Sequence, residues 1–556
     1  MQIHFLPDHR TVELSAGESL LTAARRGGVE LAAPCNGAGV CGKCLVRVVR
    51  GQSAPLGQSH HFAPAGSRLA CETTAVSDLT VEIPRKKETG LQIHNHGATI
   101  EVELAPAIRK HYDGANTQIF AGEKLLGTET GDTTARVFGA VIDIGTTTLA
   151  VGIIDLLTGE EAAGATGLNP QTSYAQDVLG RIHFASGDGG LAVLQSAVVA
   201  ALNALISEAA DAANIATAQI YEAVVSGNTC MLQLALGLDP APLGRHPYAP
   251  FFAGNETRPA DLRMAPFGQI YAPPNIAGHL GADIVSGIVA TGLAARRGTT
   301  LFVDIGTNGE MVVAQDGKMV GASTAAGPAF EGMNIACGMR AAAGAIERVN
   351  IEREDFQLRV IGDAPPVGIC GSGLMDLVGE LARCGVIDGG GRLGAGDRLG
   401  GNRDSNDSAA KILAARLRRV DGKARLTVAD AVYLSQKDLR QVQLAKGAIR
   451  AGVDLLLKNA GVAAAAVDEV IIAGSFGYHL RAESLLHLGL LPRELAGKIS
   501  FAGNTSKSGA RLFLLNHAER ARAAALARAV RAVNLADDEG FQKVFIAALA
   551  FPAARE

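Results

Sequence analysis

Charge of one sign is scarce in this chain. It has 51 basic and 55 acidic residues in 556, a formal net charge of −4. That balance implies no strongly basic face, so a nucleic-acid partner is not expected. Cysteine is also scarce. Eight are too few for a disulfide scaffold at this length, and four of them fall before residue 72. In a reducing compartment such clustering suggests metal binding rather than cross-links. No uncharged apolar run reaches membrane-spanning length. The start, MQIHFLPDHRTVEL, lacks a charged segment followed by an apolar one, the pattern of a secretion signal. The expectation is a soluble cytoplasmic protein that engages no membrane. GxxxxGK[ST] occurs nowhere, which excludes a P-loop. GICGSG at 368–373 is glycine-rich but has no Rossmann strand–helix frame with a later acidic partner, so it is a weak dinucleotide fingerprint. What the chain does have is size and apolar content: 48% hydrophobic and 19% charged residues allow several buried cores.

The pattern changes twice along the chain. Residues 2–6 and 11–14 alternate around ProAspHis and predict a hairpin. Ser15 and Glu18 read as a capping box before the helix LLTAARR, which Gly27 and Gly28 would end. CLVRVVRG and LTVEI read as strands, giving a small mixed sheet over 1–85. Residues 86–136 read as a linker, with TIEVEL and TQIFAG as possible short strands. The pair His94 and His96 reads as exposed polar connector rather than a metal site. Beyond 136, strands alternate with Ala-rich helices, as in α/β folds. An internal repeat appears there: VIDIGTTTLAVGI at 141–153 matches FVDIGTNGEMVVA at 302–314. Two related lobes are expected, 137–298 and 299–556. The ending FQKVFIAALAF is expected to pack back onto the sheet, and GGGRLGAGDRLGGNRDSNDS reads as a surface loop.

PCNGAGVCGKC at 34–44 holds Cys35, Cys41 and Cys44 in a C-x5-C-x2-C pattern, and Cys71 follows in RLACET. Three thiolates from one loop and one from a distance suit a [2Fe–2S] rhombus. Gly37, Gly39 and Gly42 let the loop curl so that N–H groups face sulfur. Structural zinc is the alternative, but it usually pairs two short knuckles, and only Cys41 and Cys44 make one. Cys230, Cys337, Cys370 and Cys384 are scattered and read as buried core thiols.

The two DxGT turns suggest phosphate chemistry. Gly145 permits a tight turn with exposed N–H groups, and Thr146, Thr147 and Thr148 add hydroxyls, a nest for anionic oxygens. Asp143 can hold Mg²⁺ through water. Asp304, Gly306, Thr307 and Asn308 supply the same parts from the second copy. Two facing turns with one carboxylate each would clamp a triphosphate and its metal and orient a water for in-line attack. Asp283, in PPNIAGHLGADIVSG, lies near an expected helix start. It reads equally as a third catalytic carboxylate or as an acid favoured there by the helix dipole.

The cysteine loop and RLAC resemble the adrenodoxin-like branch of β-grasp ferredoxins, over residues 1 to about 85. The paired DIGT turns resemble the phosphate motifs of the ASKHA superfamily (actin, sugar kinases, chaperone ATPases). STAAGPAFEG, with Gly327, resembles the glycine turn that follows the second motif. VIIAGSFG at 470–477, with Gly474, Ser475 and Gly477, resembles the adenosine motif, and GNTSKSGA at 503–510 the second connecting motif. The expected fold is thus a β-grasp ferredoxin domain, a linker and duplicated ASKHA lobes.

The whole arrangement, with NPQTSYAQDVLGRI at 169–182 and the FIAALAFP ending, resembles the reductive activators of corrinoid-dependent enzymes. That resemblance implies ATP-dependent reduction of inactive Co(II) to Co(I) in a corrinoid protein of a methyltransferase system, by one electron from a [2Fe–2S] cluster. It also implies Mg²⁺ and ATP as cofactors and a homodimer; the upstream reductant stays open. Plant-type ferredoxin centres lie near roughly −400 mV, and lifting one electron by roughly 100 mV more costs about 2.3 kcal/mol, which nucleotide hydrolysis can supply. Two rivals remain at this level. One is an ASKHA activator of 2-hydroxyacyl-CoA dehydratases, a family whose cluster sits between subunits. The other is a non-hydrolysing electron carrier whose lobes serve only for docking, against which the intact Asp143 and Asp304 count.

Overall fold

The computed structural model describes residues 1–7, 9–15, 17–29, 31, 33, 37, 44–56, 66–84, 103–352, 355–394, 412, 415–420, 422–474 and 480–552. The N-terminal unit is a five-stranded mixed sheet. Its order is Arg10–Glu13, Gln2–Leu6, Leu79–Glu82, Leu45–Arg50 and Ser67–Leu69. The expected hairpin forms, with Gln2 opposite Glu13 and Phe5 opposite Arg10. Alternation turns Ile3 and Phe5 inward onto the helix Leu20–Arg26, which buries Leu20, Leu21, Ala23 and Ala24. The helix cap differs from expectation. Ser19 caps it by accepting from the Thr22 N–H at 3.1 Å, while Glu18 accepts from the Ser15 N–H one turn earlier. Gly27 and Gly28 end the helix as expected.

Residues 108–130, expected as connector, form a three-stranded antiparallel sheet: Ile108–Tyr112, Asn116–Ala121 and Lys124–Thr130. TQIFAG is its central strand; TIEVEL falls mostly outside the described residues, as do His94 and His96. The Lys110 ammonium ties the sheet to the first lobe, donating to Glu129 at 3.0 Å and to the Tyr221 hydroxyl at 2.7 Å. Only TQIFAG reads as a possible strand in the sequence, because the flanking strands face solvent and bury a single residue, Ile108.

The two lobes share a five-stranded core topology and differ in their sixth strand. In the first, the meander Phe138–Ile144, Thr148–Asp155 and Glu161–Leu168 extends from its first strand by the parallel strands Ile220–Gly227 and Gln269–Ala272. In the second, the meander Thr299–Ile305, Asn308–Gln315 and Lys318–Ala325 extends by Glu469–Ala473 and Ile499–Gly503, also parallel. The near-continuous burial of Phe138–Ile144 and Thr299–Ile305 is that of strands covered on both faces.

Among the described residues one helix, Gly190–Ala212, is long and apolar enough to cross a membrane by length and composition alone, contrary to the expectation that no apolar run reaches that length. Its Leu194, Val198, Leu202, Leu205 and Ile206 form a buried stripe at helical spacing, within the same core as Val151 and Ala165 of the sheet.

The lobes meet at two helices, Ala282–Ala290 and Thr505–Leu515. A Cβ on Gly509 would lie 2.3 Å from the Ser286 carbonyl oxygen, so glycine is what lets them cross this closely. The terminal helix Phe541–Ala548 packs on the helix Gln436–Ala460 rather than on the sheet. Gln443 fixes it, donating to the Leu549 carbonyl at 2.9 Å. Of the surface loop at 389–408, residues 395–408 lie outside the described residues. Cys230 and Cys370 are buried core thiols as expected, whereas Cys337 and Cys384 are only partly covered.

Candidate functional site

Two sites assemble from the predicted residues. At the N-terminal one, Cys44 ends the cysteine loop just before the strand Leu45–Arg50, and Cys71 sits in the short turn Ala70–Glu72. The Ala70 N–H donates to the Cys44 carbonyl at 2.8 Å, which brings the two thiols within 3.3 Å. Contact with the Cys71 thiol, with backbone N–H groups assisting, pulls the Cys44 thiol down to about 7 despite its burial. Two thiols this close fit ligands of one metal centre. Gly37 adopts φ +86°, and a Cβ there would lie 3.3 Å from Leu21 and 3.9 Å from the Cys71 Cβ. Gly37 therefore lies close to Cys71. Cys35, Cys41, Gly39 and Gly42 lie outside the described residues.

The second site is the cleft between the lobes. It gathers Asp143, Gly145, Thr146, Thr147 and Thr148 from the first turn, and Asp304, Gly306, Thr307 and Asn308 from the second. Asp283 and Gly474 also line it. In each turn the glycine N–H closes the hairpin, Gly145 to the Thr148 carbonyl and Gly306 to the Asn308 carbonyl, both at 2.9 Å. The turns face each other: Thr147 Oγ1 and Thr307 Oγ1 are 3.1 Å apart. Gly474, at φ +119°, lets the strand end close on the second turn; a Cβ there would lie 2.4 Å from the Ile305 carbonyl and 3.3 Å from Asp304 Oδ1. Gly327 stands one step behind, its N–H donating to the Thr307 carbonyl at 2.8 Å. Ser475 and Gly477 lie outside the described residues.

Sequence reasoning missed two carboxylates here. Read residue by residue along the repeat, Glu310 takes the place of Leu149, a core residue. The second turn, however, is one residue shorter: Asp143 pairs with Ala150, but Asp304 pairs with Glu310. A one-residue change of register turns a side chain to the other face, so Glu310 faces the cleft. The available signal was a charge inside an apolar strand. Glu331 is the other. It accepts from Thr307 Oγ1 at 2.9 Å, and its Oε2 has no hydrogen-bond partner among the described residues.

The acids strain against one another. Burial, then the neighbouring Asp143 charge, lifts Asp283 to about 7. Burial, then Asp283 and Asp143, lifts Asp304 to about 8. Glu310 is raised well above the carboxylate range by burial and then by Asp283 and Asp304. Burial also raises Asp143, but Ser506 and Asn504 oppose this by donating to its carboxylate at 2.8 and 2.7 Å. Crowded carboxylates beside hydroxyls and backbone N–H groups fit a cation bound together with an anionic ligand.

A thiol-bearing β-grasp domain joined to paired lobes with facing phosphate turns defines an iron–sulfur protein fused to an ASKHA-type nucleotide-binding domain. The comparisons agree. Residues 3–76 match the 2Fe-2S iron-sulfur cluster binding domain, residues 138–296 the RACo middle region, and residues 298–556 the C-terminal domain of RACo, the ASKHA domain. The corrinoid activation enzyme RamQ of Eubacterium limosum is 34% identical over 425 residues, 74% of this chain and 70% of that protein. The [Co(II) methylated amine-specific corrinoid protein] reductase of Methanosarcina barkeri is 26% identical over 307 residues; the match spans 51% of this chain and 52% of that one. A solved reductive activator for corrinoid, iron-sulfur protein is 32% identical with a TM-score of 0.75, covering 99% of this chain and 98% of its own. The chain belongs to this family, the reductive activators of corrinoid proteins.

Proposed function

We propose that this chain reductively activates a corrinoid protein, returning its Co(II) to Co(I) with one electron and hydrolysing ATP to make that transfer possible. The observation that carries the reading is the pairing, on one chain, of a two-thiol site in a ferredoxin-like unit with an acid-lined cleft between duplicated lobes. Cys35, Cys41, Cys44 and Cys71 hold the [2Fe–2S] cluster, which supplies a single low-potential electron. Thr146, Thr147, Thr148, Gly306, Thr307 and Asn308 hold the phosphates, while Gly145 and Gly327 set the turns that present them. Gly474, Ser475 and Gly477 let the adenosine approach. Asp143, held in place by Asn504 and Ser506, and Asp304 carry Mg²⁺. Asp283, at the start of its helix, orients the attacking water. The products are ADP, phosphate and reduced cobalt. The same family likeness favours a homodimer and a corrinoid protein of a methyltransferase system as transient partner.

Anaerobic absorption spectroscopy tests this. The holoprotein is mixed with a reductant and a Co(II) corrinoid protein. Co(I) is expected only when ATP is present, and not with Asp304→Ala. Equal Co(I) without ATP, or with that variant, would overturn the coupling.

A further inference from the structure

The segment Asn169–Arg181, NPQTSYAQDVLGR, holds the back of the first phosphate turn. Asn169 is fully buried; its N–H donates to the Thr147 carbonyl at 2.8 Å and its Nδ2 to the Gly145 carbonyl at 2.9 Å. Arg181, also fully buried, donates to the Thr146 carbonyl and, at 3.0 Å, to Gln171 Oε1. Three successive carbonyls of the turn therefore rest on this one segment. Burial lowers the Arg181 guanidinium only to about 10, so it keeps a positive charge behind the phosphates at neutral pH.

The same segment touches both other parts of the molecule. Its Gln176 Oε1 accepts from Asn334 Nδ2 of the second lobe at 3.1 Å. Its Ser173 carbonyl accepts from Arg25 of the N-terminal domain at 3.3 Å. The Arg25 guanidinium lies 5.8 Å from the Tyr174 ring centre and 6.0 Å from that of Phe184, two rings 5.1 Å apart. Arg25 in turn belongs to the helix whose Leu21 packs under the cysteine loop at Gly37, and it reaches the Ala33 carbonyl at 3.5 Å.

We propose that residues 169–181 form a strap that carries lobe closure to the cluster domain. Asn169 and Arg181 are its positioning residues at the phosphate turn, and Arg25 is the docking residue at the cluster end. The inference rests on the reading that the cleft takes a nucleotide. Closure on a triphosphate moves the first turn against the second, and the strap follows because it owns the turn's carbonyls. A hydrogen bond and two cation–π approaches are among the contacts at this end, each individually modest enough for such a shift to alter. By linkage, docking of the cluster domain must change nucleotide affinity by the same factor as the nucleotide changes docking.

Hydrogen–deuterium exchange on the full-length holoprotein, with and without Mg²⁺ and a non-hydrolysable ATP analogue, tests the strap. In the unaltered protein the analogue is expected to protect peptides covering 145–148 and 169–181, and to change exchange across 20–28 by about fivefold or more. Arg25→Gln keeps the first two responses and loses the third; Arg25→Lys, which retains a cation and a donor, restores part of it. The visible spectrum of the cluster stays unchanged in both variants. If the turn and strap respond in the unaltered protein while 20–28 does not, or if Arg25→Gln still responds there, the strap is overturned and the nucleotide reading stands. If no peptide of the cleft responds, the nucleotide reading falls and the strap falls with it.

Discussion

Asp304 and Glu310 stand directly across from each other on neighbouring strands, a placement that like charges resist. Burial and the neighbouring acids raise both groups, so protonation relieves the repulsion, a cation in the proposed reading would do the same, and this has a pH signature. Asp304 is raised to about 8 and Asp283 to about 7, above their unfolded values. In metal-free protein their contribution to stability is fully present below the unfolded carboxylate pKa and is lost as pH rises through the folded values. Thermal unfolding in chelator is therefore expected to show falling stability from about pH 4 to pH 8, with Mg²⁺ flattening the slope. Asp304→Asn should also flatten the slope; an unchanged slope would contradict the assignment. A second prediction concerns Asn169. Asn169→Ala removes the side-chain donor to the Gly145 carbonyl, at about 1–3 kcal/mol, and should weaken nucleotide binding about tenfold by calorimetry, with the cluster spectrum unaltered.

Among elements, the helix pair Ala282–Ala290 and Thr505–Leu515 joins the lobes behind the cleft. It also presents Asp283 from one helix and Asn504 with Ser506 from the start of the other. Gly509→Val would drive a side chain into the Ser286 backbone. Denaturant unfolding should register a loss of at least about 1–3 kcal/mol, and hydrolysis should fall as the helices part. Elements with strong local patterning were legible beforehand: both DIGT hairpins, the N-terminal hairpin and the helix LLTAARR. The sheet at 108–130 was legible only at TQIFAG, because its outer strands alternate weakly over a mostly exposed surface. Glu310 was hidden for a different reason. The repeat aligns it with Leu149, and only the shorter second turn, a feature of pairing rather than of composition, brings it to face the cleft.

At the scale of the molecule, the cleft was legible in outline because each half is announced by its own turn. Asp143, Asp304 and Asp283 do converge there. The acid at Glu331, the Asn504 and Ser506 clamp on Asp143, and Arg181 behind the turn were not assigned, since each reaches the cleft only through long-range closure of the fold. The two ends should be separable. Cys71→Ala is expected to abolish the cluster's visible absorption while leaving nucleotide binding intact by calorimetry; loss of both would mean the N-terminal unit is needed for the lobes to fold. The central claim is that hydrolysis drives an electron uphill. The most direct measurement holds the holoprotein and a Co(II) corrinoid protein at a fixed potential too weak to reduce the cobalt, and follows Co(I) and ADP in one anaerobic cuvette. Co(I) should accumulate only with ATP and in proportion to ADP formed. Equal Co(I) without ATP, or ADP formed with no Co(I), would contradict the account.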